Sequence, residues 1–257
     1  MPEPNVFIFW DNSNIFISAK QVAEARDGAL QKDSCRINFT NLMNLAKAGR
    51  PVNAGGSIVV GSVPPSLSEL WTRMEATTGI RIERYERGEG SGTEQGLDQC
   101  IQVHMLRAIS DNKDPQIAVL LTGDGAGAED GVGFFADLKR MREAGWGVEV
   151  LSWNHSCNSA LKNWAESEGA FIKLDDYYNS ITFIDGVRPA APLSLTSRKK
   201  STPVKKESPK NDEAAKSEKS ANEEIAKLRK LLADKDSEIK KLNKKAYGKK
   251  VNISKKG

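Results

Sequence analysis

Two aspartates close apolar runs in this chain: Asp11 follows Val6 to Trp10 in VFIFWDNSN, and Asp124 follows Ile117 to Leu121 in IAVLLTGDG. Each run is short, β-branched or aromatic, and succeeded by small polar residues, the pattern of a buried strand emptying into a loop. Parallel α/β sheets bind ligands in the crevice outside the carboxyl ends of their strands, so two such acids can meet there. Two further acids can reach the same crevice. Asp98 opens a helical pattern in GLDQCIQVHMLRAI, and Asp130, beside Glu129, lies in the Gly-rich loop GDGAGAEDGVG. Converging carboxylates repel one another unless a divalent cation neutralises them, and hard oxygen ligands suit Mg²⁺ or Mn²⁺. Such a centre activates water and stabilises the charge of an in-line attack on a phosphodiester, which makes nucleic acid the natural substrate class.

Each acid also has a plainer reading. Asp98 can simply complement the dipole at a helix N-terminus, and Asp130 and Glu129 can be loop surface. Asp11 and Asp124 are harder to dismiss, because an acid directly after a buried strand must be solvated or paired. A calcium loop is excluded at GDGAGAED, where Ala126 and Ala128 occupy positions that need oxygen ligands. No GxxxxGK[ST] occurs and no GxGxxG follows the first run, so nucleotide-cofactor folds lose support.

The elements that must position these acids alternate in kind. Ile15 to Glu24 reads as a helix, Arg26 to Arg36 as a polar loop, and Phe39, Leu42, Met43 and Ala46 as a helical stripe stopped by Gly49. GSIVVGSVPP is a second buried strand, Leu67 to Met74 an amphipathic helix, and Arg81 to Arg87 a more exposed strand. Leu97 to Ile109 is helical, Gln116 to Thr122 a strand, and Phe134 to Met141 a helix closed by Gly145. VEVLSW, a helix over Ala160 to Glu168, and AFIKL follow. Strands alternating with helices predict βαβ units, a mainly parallel sheet covered on both faces, and a three-layer α/β/α fold.

Composition changes near residue 190. Residues 191 to 257 hold 20 Lys+Arg against 9 Asp+Glu, a net of +11, whereas residues 1 to 190 hold 18 against 25, a net of −7. An acidic body with a basic tail suits a polyanion gripped by the tail and processed by the body; a solvated tail without a partner is the plainer alternative. The expected organisation is a folded domain over 1–188, a disordered linker over 189–222, a short amphipathic helix or weak coiled coil over 223–246, and a basic disordered tail over 247–257. In the third segment Ile225, Leu228, Leu232, Ile239 and Leu242 follow heptad spacing, with Lys235 at one seam position. That helix could self-associate or take a protein partner. Lys199, Lys200, Lys205, Lys206, Lys240, Lys241, Lys244 and Lys245 are spaced for phosphate contacts, since only Tyr247 interleaves the basic runs.

Cys35, Cys100 and Cys157 lie far apart, with no CxxC pair and no His at zinc-finger spacing, which argues against a disulfide framework or zinc finger. MPEPNVFIFW has no basic n-region and too short an apolar run for a signal peptide or span, so the expected location is cytoplasmic or nuclear.

FIFWDNSNIF, GLDQ at a helix start, VLLTGDGAG with GVGFFADLKRMREAGWGVEVLSW, and FIKLDDYYNSITF together resemble the NYN branch of the PIN-like nuclease superfamily, over roughly residues 4 to 184. The resemblance implies an α/β/α fold with a metal-dependent ribonuclease centre. Carried over by position, Asp11, Asp98 and Asp124 match the family's acids, Asn14 the polar residue after the first, and Thr122 the hydroxyl before the third. Two departures stand out. Ala126 occupies the place of a second Asp after the third acid, and His104 and Met105 lie where a further Asp often stands in the helix. The longer loop could fold Asp130 back to replace the first loss; without it the site keeps three acids. Two functions follow: a metal-dependent endoribonuclease using Asp11, Asp98, Asp124 and Asp130, or an inactive RNA-binding or scaffold protein on the same fold.

Overall fold

A computed structural model describes residues 3–63, 68–86, 95–123, 133–204 and 225–241. Six parallel strands form the central sheet: β1 (Val6–Asp11), β3 (Ile58–Val63), β4 (Ile82–Glu86), β5 (Ile117–Leu121), β6 (Gly147–Ser152) and β7 (Ala170–Lys173), in the order β4-β3-β1-β5-β6-β7. From β1 the chain winds outward to β3 and β4, then returns to β5 on the other side of β1 and winds outward to β6 and β7. The reversal falls between β1 and β5, the place where an open α/β sheet opens a crevice at its carboxyl edge.

Strand alternation sorts the side chains into two cores. Val6, Ile8 and Trp10 of β1 point into one, with α1 (Asn12–Asp27), α2 (Phe39–Lys47) and α3 (Ser68–Thr78). Phe7 and Phe9 point into the other, with α4 (Gln95–Asp111), α5 (Gly133–Glu143) and α6 (Ser159–Glu168). Apart from the edge strand β4, whose residues Ile82 to Tyr85 are half-buried or exposed, the strands are largely buried on both faces and lack polar alternation, as parallel strands under helices must. The three-layer arrangement expected from the sequence is the one found.

A second, antiparallel sheet was not legible in the pattern. β2 (Cys35–Ile37) pairs with β8 (Thr182–Ile184), with Cys35 opposite Ile184 and Ile37 opposite Thr182. The polar stretch expected as loop therefore holds a 3₁₀ turn (Ala29–Ser34) and then β2. A short helix, α7 (Tyr178–Ile181), leads into β8.

Residues 189–204, expected in a disordered linker, pack on the domain. Leu193 and Leu195 lie against the α1–α3 core, and Val204 donates its amide to the Gly145 carbonyl. Arg198 is buried: its guanidinium reaches the Leu45 and Ala46 carbonyls at the end of α2 and meets Glu149 at 2.6 Å. Arg50 binds the same carboxylate through two parallel hydrogen bonds of 2.7 and 2.8 Å, and the Ser201 amide adds a third donor. The net burial of charge is tolerable because each ionic group has charged and hydrogen-bonded partners. Packing among the described residues thus continues past 188 as far as Val204.

Residues 225–241 are helical. Leu232 packs on Val103 and Leu106 of α4, flanked by Leu228 and Ile239, and Arg107 pairs with Asp236. The apolar seam expected for a coiled coil is thus spent on the domain itself. Lys235, at the faulty seam position, pairs instead with Glu238. The expected linker beyond 204 and the final basic segment lie outside the described residues.

Candidate metal centre at the carboxyl edge

Asp11 ends β1 and caps α1: its Oδ1 accepts the Asn14 amide at 2.9 Å. Aspartate is a favoured N-cap because its carboxylate satisfies an amide the first turn leaves without a partner. Continuing the alternation of Phe7 and Phe9 places Asp11 on the face covered by α4. Its Oδ2 takes the hydroxyl of Thr122, just past β5, at 3.5 Å. Asp11 and Thr122 are 5% and 0% exposed, so the acid is held at the mouth of the crevice and not out in solvent.

Asn14 has a positioning role that its sequence place alone did not reveal. Its side-chain oxygen accepts the Gly123 amide at 2.8 Å, fastening the exit of β5 to the first turn of α1. Gly123 is required there, since a Cβ would lie 2.8 Å from both that oxygen and the Ser156 carbonyl. The Gly123 carbonyl in turn accepts the Asn158 amide at the start of α6. Three loops, after β1, β5 and β6, are therefore stitched together immediately before Asp124.

Asp98 lies in the first turn of α4 and is half-buried. Because α4 returns the chain from β4 to the parallel strand β5, its N-terminus sits at the carboxyl edge, and α4 packs on β1. Asp11 and Asp98 thus share an edge and a face of the sheet. Asp124, Glu129 and Asp130 lie outside the described residues, as do Lys205, Lys206, Lys244 and Lys245. Lys199, Lys200, Lys240 and Lys241 are exposed on the described surface.

Several hydroxyls here carry no sequence signature. Ser13 in the first turn of α1 bonds the Ser62 amide and hydroxyl at 2.9 Å each, tying the exit of β3 to that of β1. The Ser156 Oγ, against Gly123, and the Asn12 Oδ1, next to Asp11 in the chain, are buried side-chain oxygens without a hydrogen-bond partner. Buried polar atoms left unsatisfied in this way point to a missing water or ion. Like the Asp11 carboxylate they are hard oxygens, the donor type that suits Mg²⁺ or Mn²⁺.

The NYN domain family matches residues 5–175, two-thirds of the chain. The chain belongs to the NYN domain family. NYN domains are PIN-like nuclease domains, typically ribonucleases, and PIN-like nucleases generally use divalent metals. Among solved structures, a protein of unknown function, VPA0982 from Vibrio parahaemolyticus RIMD 2210633, matches with 13% identity and a TM-score of 0.47, over 68% of this chain and 94% of that one. No curated protein matches the chain. Among the described residues, no helix of this NYN protein is long and apolar enough to cross a membrane.

Proposed function

We propose that the protein is a metal-dependent endoribonuclease in which Asp11, Asp98 and Asp124 hold Mg²⁺ or Mn²⁺ and Asp130 completes the ligand set. The observation that carries this reading is the buried Asp11 carboxylate, held at the sheet's switch point by donors from two other segments. A divalent ion bound there lowers the pKa of a coordinated water and offsets charge on the phosphate. The residues of the chain orient that centre. Asn14 and Gly123 fix the loop that leads into Asp124, Thr122 turns the Asp11 carboxylate, and the N-terminus of α4 presents Asp98. The lysines of the C-terminal part, Lys199, Lys200, Lys240 and Lys241 together with Lys205, Lys206, Lys244 and Lys245, raise the local concentration of RNA through its phosphates.

The full-length protein is incubated with single-stranded RNA, with and without Mg²⁺. Cleavage is expected only with the metal, and because water is the nucleophile the products carry no 2′,3′-cyclic phosphate. Binding of RNA without cleavage under Mg²⁺ and Mn²⁺ overturns the enzymatic reading in favour of a binding protein on the same fold.

A further inference from the structure

Cys100 and His104 stand one turn apart on α4, so both side chains leave the same face of the helix. That face meets the edge strand β4, where Glu83 points toward them. One donor atom from each of Glu83, Cys100 and His104 lies within 4.8 Å of the other two. None of the three takes part in the carboxylate centre proposed above. Glu83 lies in lateral register with Val60 of β3, and Val60 with Asp11 of β1, so the cluster sits two strands away from Asp11, about 10 Å at the usual strand spacing.

We propose that Glu83, Cys100 and His104 form a second cation site, selective for Zn²⁺ over Mg²⁺, with its fourth position open to water. The donor set is one sulfur, one nitrogen and one oxygen, the mixture a borderline-soft ion prefers and a hard ion does not. Geometry agrees: Cys100 Sγ is 3.6 Å from Glu83 Oε2. A tetrahedral Zn²⁺ with bonds of about 2.3 Å to sulfur and about 2.1 Å to oxygen separates those two donors by about 3.6 Å. The surroundings orient the carboxylate and keep the imidazole neutral, while burial, with Glu83 beside it, pushes the Cys100 thiol up to about 12, so a bound cation must displace its proton. Arg81 engages the other Glu83 oxygen, leaving Oε2 to turn inward, and the Tyr85 hydroxyl donates to Oε2 at 3.2 Å, the kind of outer contact that orients a ligating carboxylate. Burial, with Arg81 and Arg107 nearby, pushes the His104 pKa down to about 4, so the ring keeps a lone pair at neutral pH. Zn²⁺ in this place ties β4 to α4 just beyond Asp98.

The test uses the full-length protein stripped with a chelator, and Co²⁺ and Zn²⁺ alone as probes. Co²⁺ is expected to give a thiolate charge-transfer band at one equivalent, displaced by Zn²⁺ but not by excess Mg²⁺, and Zn²⁺ is expected to raise Tm. Cys100→Ser should abolish the band, His104→Gln should weaken binding at least about tenfold, and Cys157→Ser should change neither. Asp11→Asn should also keep the band, so a failure of the carboxylate centre and a failure of this site are told apart. Absence of the band in the unaltered chain overturns the proposal and leaves Cys100 as a hydrogen-bond donor to Glu83; a band that survives Cys100→Ser overturns it as well. Should Cys100→Ser not fold, His104→Gln decides, because a band it leaves unchanged is equally fatal.

Discussion

Glu149 of β6 and Asp11 of β1 are both buried carboxylates in the same sheet, on opposite faces. Glu149 accepts hydrogen bonds from the guanidiniums of Arg50 and Arg198 and from Ser201. Burial alone would raise its pKa, but the Arg50 hydrogen bond and the two arginine charges outweigh burial and hold it below the ordinary carboxylate range. Asp11, at the carboxyl edge, accepts the Asn14 amide and the Thr122 hydroxyl. At Glu149 the chain brings its own cations and the result is architecture. At Asp11 the Asn14 amide and the Thr122 hydroxyl fix where the oxygens point, which is the preorganisation that the proposed metal ligand needs.

The largest effect should separate the two. Asp11→Asn keeps the helix cap, since Asn caps about as well as Asp, but removes a ligand charge. Mg²⁺-dependent RNA cleavage is expected to fall by orders of magnitude, with Tm unchanged or raised. Unchanged turnover would return Asp11 to a purely capping role.

Arg198→Ala tests the other side. It leaves Glu149 buried with Arg50 as its one guanidinium partner and exposes the end of α2, at an expected cost of about 3 kcal/mol, read from chemical denaturation. Cleavage at saturating RNA should persist in the folded fraction. Limited proteolysis should leave a core that extends past residue 200, and a resistant fragment ending near Arg188 would contradict the packed strap.

Truncation after Val204 removes the later lysines while keeping that strap. RNA affinity should drop and its salt dependence flatten, by roughly 0.7 in log–log slope for each phosphate no longer neutralised, with turnover at saturating RNA retained. Equal affinity of truncated and full-length chains at low salt would remove RNA binding from the tail.

The smallest effect concerns Asp137 on α5, where burial pushes the carboxyl pKa up to about 6 against the opposing pull of Arg140. A folded-state pKa above the unfolded value of about 3.9 adds stability that is fully present below pH 4 and lost as pH rises through 6. Glu149 works in the opposite sense, its contribution being present above its unfolded pKa of about 4.3 and lost as pH falls below that. Asp137→Asn should therefore raise Tm by a few degrees at pH 7.5 and by less at pH 5. Equal shifts at both pH values would mean the gain is not electrostatic.

The central sheet was legible because its strands are continuous apolar runs and its helices keep a 3.6-residue stripe. β2 was not: three residues carry too little pattern, and the partner strand β8 lies near the far end of the domain. The strap over 189–204 escaped for a related reason, since one buried arginine among prolines and serines has the composition of free chain and its meaning comes only from Glu149. At the carboxyl edge, Asp11 and Thr122 stood out through their place at strand ends. Ser13 and Ser62 did not, because a hydroxyl that fastens one loop to another has no spacing rule. His104 and Cys100 share a helical face in the sequence, but Glu83 joins them only through the packing of α4 on β4.

The strap also sets an order on how the molecule is made. A ribosome releases the chain from its amino end, so β1 through β7 can be assembled while Arg198 is still inside the exit tunnel. During that interval Glu149 has one arginine to meet instead of two, and the end of α2 lacks the donor that finally closes it. The nascent domain is therefore held in an unfinished, more easily opened state until the strap through Val204 has emerged from the tunnel, and a stall in that window exposes it to proteases and chaperones.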